Sequence, residues 1–173
     1  MAFILTCKLV IGDVAVNFAK SIEMDSTNAI EIEDTWQKMT NTAKVTIAKR
    51  ISVIGGDDFR NRSIADAIKV GDKVIVSLGY NGKLNEEFVG YVARSPKLTI
   101  PLEIECEDEM WQLKRKSVAS KTIKNCKVSD LVKYIAPGYE YEVLDSELGT
   151  FPIGLRGPET AAQVLFRMEK ESG

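Results

Sequence analysis

The chain has 173 residues, 45% of them hydrophobic and 28% charged, and a net charge of −2. This balance excludes a disordered chain and provides apolar surface for one ordinary domain or two small ones. The charge gives no global pull toward nucleic acid or an anionic membrane, and the absence of histidine removes the commonest acid–base group, the commonest transition-metal ligand and every imidazole-dependent triad.

The first two-thirds of the chain alternate with period two, the pattern of antiparallel strands with one face on a core. Phe3, Leu5, Cys7, Leu9 and Ile11 share one face before a turn at Gly12-Asp13, and Val14, Val16 and Phe18 form the next apolar face. Ile30 and Ile32 alternate with Glu31 and Glu33, and Val45 and Ile47 with Lys44 and Thr46. Over residues 72–93, Val74, Val76, Leu78 and Tyr80 lead to Asn81-Gly82, a strong hairpin signal because both central positions of a type I′ turn need positive φ. The return strand carries Phe88 and Gly90, and a glycine there marks a bulge or a close backbone approach. A further strand is expected from Leu98 to Glu107. Leu98, Ile100, Leu102, Ile104 and Cys106 face one way, and Pro101 on the other side suggests an edge or a kink.

From Asp108 the period changes. Met110, Trp111 and Leu113 make a short helical turn that ends in Lys114-Arg115-Lys116. Val128, Leu131, Val132 and Ile135 follow helical spacing and are closed by Pro137-Gly138. A last helix is expected to open at Pro158 and to bury Ala161, Val164, Leu165 and Met168. The expected fold is therefore mainly β with an α+β part: an antiparallel split β-barrel over residues 1–116, then a small α/β domain over 117–173.

The N-terminal apolar run has no basic leader and is interrupted by Lys8, so neither a signal peptide nor a spanning helix is expected. Cys7, Cys106 and Cys126 have no CxxC spacing, which fits neither a disulfide framework nor a zinc site and suggests a reducing compartment.

Three clusters invite a chemical reading. Glu103, Glu105, Glu107, Asp108 and Glu109 form an acidic run, but alternate residues of a strand stand roughly 7 Å apart, too far for one cation whose oxygens lie at ~2–2.5 Å. It reads as a solvated sheet face that discourages edge-to-edge pairing. Gly55-Gly56-Asp57-Asp58 lacks the lysine of a phosphate loop and reads as a turn. Lys114, Arg115 and Lys116, with Lys121 and Lys124, read as a polar rim against an acidic partner surface rather than a nucleic-acid site. Tyr80, Tyr91 and Trp111 are candidate interface anchors. No catalytic, cofactor-binding or metal-binding residue is assigned.

The stretch from Ile68 to Arg115 resembles the tail-hub family of contractile phages, which includes the late-control tail proteins and the VgrG spike proteins of type VI secretion. The resemblance lies in Gly71-Asp72 starting a strand, the hairpin of Gly79-Tyr80 and Phe88-Val89-Gly90, and Glu107-Asp108 leading to a helix that ends near Arg115. Downstream, the segments from Cys126 to Ile135 and from Glu159 to Gly173 look like helices flanking that family's middle domain. The resemblance implies a tail-tube-like barrel and a structural role in a baseplate hub, without a reaction. It also implies a homotrimer joining tail tube to spike in the virion, made in the bacterial cytoplasm. In that family the last helix is followed by a strand and a second barrel, so a truncated chain is expected. Two other readings remain: a flavin-type split-barrel enzyme domain, and a cell-wall glycan-binding module using Trp111 and Tyr80.

Overall fold

The computed structural model describes residues 4–12, 21–35, 37–48, 64–96, 99–142 and 149–172. The chain divides into two units, residues 1–111 and 112–173.

The first unit is built on one antiparallel sheet. Its strands are β1 (Leu5–Gly12), β2 (Ser21–Met24), β3 (Ala29–Glu33), β4 (Thr42–Ile47), β5 (Lys73–Tyr80), β6 (Lys83–Val92) and β7 (Leu102–Glu107). They lie in the order β2-β1-β5-β6-β7-β4-β3. The sequence alternation becomes one buried face: Leu9, Val45, Val74, Val76, Val92 and Ile104 are fully buried in a single cluster. A four-residue helix, α1 (Ile64–Ala67), adds Ile64, and Ile68 follows it into the same cluster. The two edge strands, β2 and β3, are neighbours in sequence, yet no ladder joins them among the described residues.

The β5–β6 hairpin forms as the Asn-Gly pair requires, with Asn81 at φ 54° and Gly82 at φ 80°. Gly90 serves close approach. A Cβ there would lie 2.2 Å from the carbonyl oxygen of Glu107 on the neighbouring strand. The register irregularity lies elsewhere: Val76 faces Phe88 but Ser77 faces Glu86, so Glu87 is the extra residue.

Two expectations need correction here. The seventh strand begins at Leu102 rather than Leu98, and Ile100 is 79% exposed instead of sharing the buried face. Pro101 lacks an N–H and stands just before the ladder with β4, which starts at Leu102. The strand is also interior, paired with β4 on one side and β6 on the other, so its acids do not guard a sheet edge. Val14, Val16, Phe18 and Gly55-Gly56-Asp57-Asp58 lie outside the described residues, as do Phe3 and Leu98.

The chain passes from the first unit to the second within α2 (Met110–Leu113). Asp108 opens it, its Oδ1 accepting the Met110 N–H at 3.0 Å in the manner of an N-cap.

The second unit pairs β8 (Lys121–Cys126) with β9 (Phe151–Leu155) and carries α3 (Val128–Ile135) and α4 (Ala161–Ser172). The helical spacing of Leu131 and Ile135 buries both side chains completely. Gly138, at φ 88°, then turns the chain away. The last helix starts at Ala161, not at Pro158, because Thr160 and Gln163 form a reciprocal cap. The Thr160 N–H donates to Gln163 Oε1 at 2.8 Å and the Gln163 N–H donates to Thr160 Oγ1 at 3.3 Å. Ala161, Ala162 and Val164 are buried, while Leu165 and Met168 are half-buried.

Candidate interaction surfaces

The acidic run on β7 is spent on structure. Strand alternation puts Glu103, Glu105 and Glu107 on the face opposite the core residues Leu102, Ile104 and Cys106. The Lys44 ammonium on β4 lies 3.2 Å from Glu103, and the Arg94 guanidinium lies 3.3 Å from Glu105. Asp108 accepts the Asn41 N–H at 2.9 Å, which ties the ends of β4 and β7 together. Glu109 accepts the Tyr91 hydroxyl at 2.9 Å. Among the described residues no group of three His, Cys, Asp or Glu side chains is placed to hold a metal ion.

A shallow depression of about 330 Å³ crosses this outer face, lined by Glu31, Glu33, Lys44, Arg94, Glu105 and Glu107 among others. Ile32, Ala43, Ala93 and Cys106 complete its lining, so charged and apolar side chains share it.

Of the three aromatic anchors, two are packed inside the first unit. Tyr91 is 5% exposed, and its ring stacks on Trp111 with centroids 5.5 Å apart and planes 19° apart. Trp111 also leans on Gly71, where a Cβ would meet its ring at 2.9 Å. Trp111 is therefore held against Tyr91 of β6, and the stack occupies one face of its ring. Tyr80 is different. At 58% exposure it stands with Ile4, Leu5 and Leu84 at the far end of the β1–β5–β6 strands. Asn81 holds that end rigid: its side-chain oxygen accepts the Ile4 N–H at 3.0 Å and its own N–H donates to the Ile4 carbonyl at 2.8 Å.

The basic cluster falls in the second unit, partly engaged. The Lys116 ammonium sits 5.1 Å from the centre of the Tyr139 ring and donates to the Pro137 carbonyl at 3.4 Å. Lys121 lies 4.7 Å from the Tyr134 ring centre. Lys114, Arg115 and Lys124 are exposed. The rings that could stack on bases are thus covered by lysines of the same unit.

The three cysteines are free thiols, Cys106 and Cys126 buried and Cys7 half-buried. Burial, with a smaller contribution from the Glu105 carboxylate, pushes the Cys106 thiol up to about 12. Burial also raises Cys126, assisted by Asp130 and opposed by Lys121. Neither supplies a thiolate near neutral pH. No spacing or motif pointed to the Glu159–Arg167 pair in the second unit. The Glu159 carboxylate accepts the Arg156 N–H at 3.1 Å and the Arg167 guanidinium at 3.0 Å, and it sits below its ordinary pKa. Arg167 also donates to the Gly154 carbonyl at 3.1 Å, which braces the turn between β9 and α4.

These features define a mostly β protein whose described surfaces are built of strand faces and ion pairs. No protein-family model and no curated protein sequence matches the chain. In fold it is similar to the crystal structure of the 43 kDa tail protein of prophage MuSo2 from Shewanella oneidensis. The TM-score is 0.65 and the identity 17%, over 97% of this chain and 48% of that one. The chain thus spans about half the length of that tail protein.

Proposed function

We propose that the chain is a structural, non-catalytic part of a phage or prophage tail, and within the tail a baseplate hub component that joins tail tube to spike through protein–protein interfaces. The observation that carries this is the fold similarity to a prophage tail protein over nearly the whole chain. The finer assignment, a homotrimeric hub in the virion with no nucleic-acid, membrane or cofactor partner, rests on the resemblance of the hairpin unit around Gly79-Tyr80 and Phe88-Val89-Gly90.

Connectivity supports a tail-tube-like barrel for the first unit. Only residues 25–28 link the edge strands β2 and β3. Five Cα steps reach at most ~18 Å. Seven strands laid flat would hold their edges ~29 Å apart, six spacings of ~4.8 Å. The sheet must therefore curl. The same link touches both halves of the sheet: Cys7 Sγ on β1 lies 3.5 Å from the Asp25 carbonyl oxygen, and the Asn28 N–H donates to Thr46 on β4 at 2.8 Å.

The test is mass spectrometry of tail particles banded on a density gradient from an induced lysogen. The protein should co-band with tube and spike proteins at a fixed ratio. Its absence from intact tails would overturn the proposal.

A further inference from the structure

The β5–β6 hairpin outruns the rest of its sheet. Strand β7 pairs with β6 only at Tyr91 and Val92, and after Glu107 its chain leaves for α2. Beyond that point, among the described residues, β6 is held by β5 alone, from Glu86 opposite Ser77 to Lys83 opposite Tyr80. All five residues from Lys83 to Glu87 are exposed, whereas Phe88, Gly90, Tyr91 and Val92 are buried. An antiparallel ladder turns the backbone N–H and C=O of alternate residues toward one neighbour and those of the rest toward the other. The two-residue turn closes on the Tyr80–Lys83 pair, so Leu84 and Glu86 turn theirs away from β5. Among the described residues no strand meets them.

Open edges are usually blunted by bulges and charge. Here the bulge at Glu87 lies at the root of the stretch and leaves residues 83–86 in regular register with β5. The tip is also apolar: Ile4, Leu5, Tyr80 and Leu84 are four of the eight exposed large hydrophobic side chains among the described residues. The paired bonds between Asn81 and Ile4 hold the start of β1 beside the turn, so the edge is preformed. Charge narrows what fits it. Glu86 and Glu87 have no ion pair among the described residues, and Lys83 is the one cation of the stretch.

We infer that the outer edge of β6 over residues 83–87 receives an added strand from a different protein. The fitting partner is an extended segment that sets an apolar residue beside Leu84 and lysine or arginine beside Glu86 and Glu87. Main-chain bonds to Leu84 and Glu86 supply the affinity of such a contact, and the cross-strand side-chain pairs select the partner. A lipid surface would cover Leu5 and Leu84 but leave those outward backbone groups unpaired. A second copy offers only the same stretch, with one lysine for two acids. The inference rests on the tail reading for the source of the segment and deepens it by giving the segment's chemistry.

The probe is a short synthetic peptide of Thr-Val-Thr-Lys repeats, whose valines and lysines alternate on one face as Leu84 and Glu86 do. Titrated into the full chain, it should slow the amide hydrogen exchange of Leu84 and Glu86 by about tenfold at saturation. Glu86→Pro removes one outward N–H at a position that a strand edge tolerates, and should weaken binding by about tenfold with the fold intact by circular dichroism. Glu86→Lys should also weaken it and turn the preference toward a peptide of Thr-Val-Thr-Glu repeats. Unchanged exchange at Leu84 and Glu86, equal affinity of the parent and Glu86→Pro, or no switch of preference in Glu86→Lys would each overturn the inference. So would protection of the two amides by self-association without peptide, or by phosphatidylcholine–phosphatidylglycerol vesicles in its place. A chain that co-bands with tails but leaves the peptide unbound ends this inference alone, whereas a chain that binds the peptide but is absent from intact tails ends the tail reading.

Discussion

The two units solve the same problem by different means. In the first, hairpin neighbours such as β5–β6 are joined into one sheet by the distant pairs β1–β5 and β4–β7, and one buried face runs through β1, β2, β4, β5, β6 and β7. Close backbone approach at Gly90 then sets β6 against β7, and the Tyr91–Trp111 stack holds Trp111 on β6. In the second, local bonds settle much of the geometry: the Thr160–Gln163 cap, the Ala136 N–H donating to the Val132 carbonyl, and the Glu159–Arg167 pair, which ties the entry of α4 to its middle. The contrast teaches that the sheet unit depends on core volume and strand contact, while the helical unit depends more on its chain ends.

Core truncation should sharpen this contrast most. Ile104→Ala in the sheet and Leu131→Ala in α3 each remove a fully buried side chain and should cost about 3–4 kcal/mol. Both tryptophans, Trp36 and Trp111, belong to the first unit. Ile104→Ala should therefore shift the unfolding transition followed by tryptophan fluorescence. Leu131→Ala should shift chiefly the helical signal in circular dichroism. Equal shifts of both signals by both variants would show that the units unfold as one.

Gly90→Ala should follow, at about 3 kcal/mol, because the added methyl group meets the Glu107 carbonyl and the Phe88 ring. Gly154→Ala on β9 meets nothing within 4 Å and should be close to neutral in urea denaturation. A Gly90→Ala protein as stable as its parent would rule out the close approach of β6 to β7. Smaller again, Thr160→Ala should cost about 1 kcal/mol through the lost cap, visible as a lower midpoint of the helical signal.

The smallest effect is pH-dependent. Hydrogen bonds from Arg156 and Arg167 hold Glu159 below its unfolded pKa. A depressed carboxylate contributes stability above the unfolded pKa and loses it as pH falls through the folded value. Glu159→Gln should thus be less stable than the parent at neutral pH and equal to it in strong acid. A gap that persists in acid would mean that the carboxylate's charge is not what braces the turn.

Legibility followed pattern strength. The β5–β6 hairpin was plain, because alternation and Asn81-Gly82 agree. Strands β8 and β9 were missed. Lys121–Cys126 offers only Ile123 before its final cysteine, and Phe151–Leu155 contains Pro152 and Gly154, so neither alternates clearly. Alternation continues through Ile100 and so points past the true start of β7, although Pro101 cannot donate to a ladder. Pro158 suits a first turn and draws the expected start of α4 forward, while the Thr160–Gln163 cap decides it locally.

The sequence by itself determined which residues face the core, where the tightest turn falls, and that histidine-dependent chemistry is unavailable, since these follow from periodicity, backbone preference and side-chain inventory. Only the tertiary structure decided that the acids of β7 lie on an interior strand against Lys44 and Arg94, that Trp111 is stacked on Tyr91, and that β2 and β3 are opposite edges joined by four residues. Those facts depend on which strands pair across long stretches of chain, and alternation is the same whichever neighbour a strand takes.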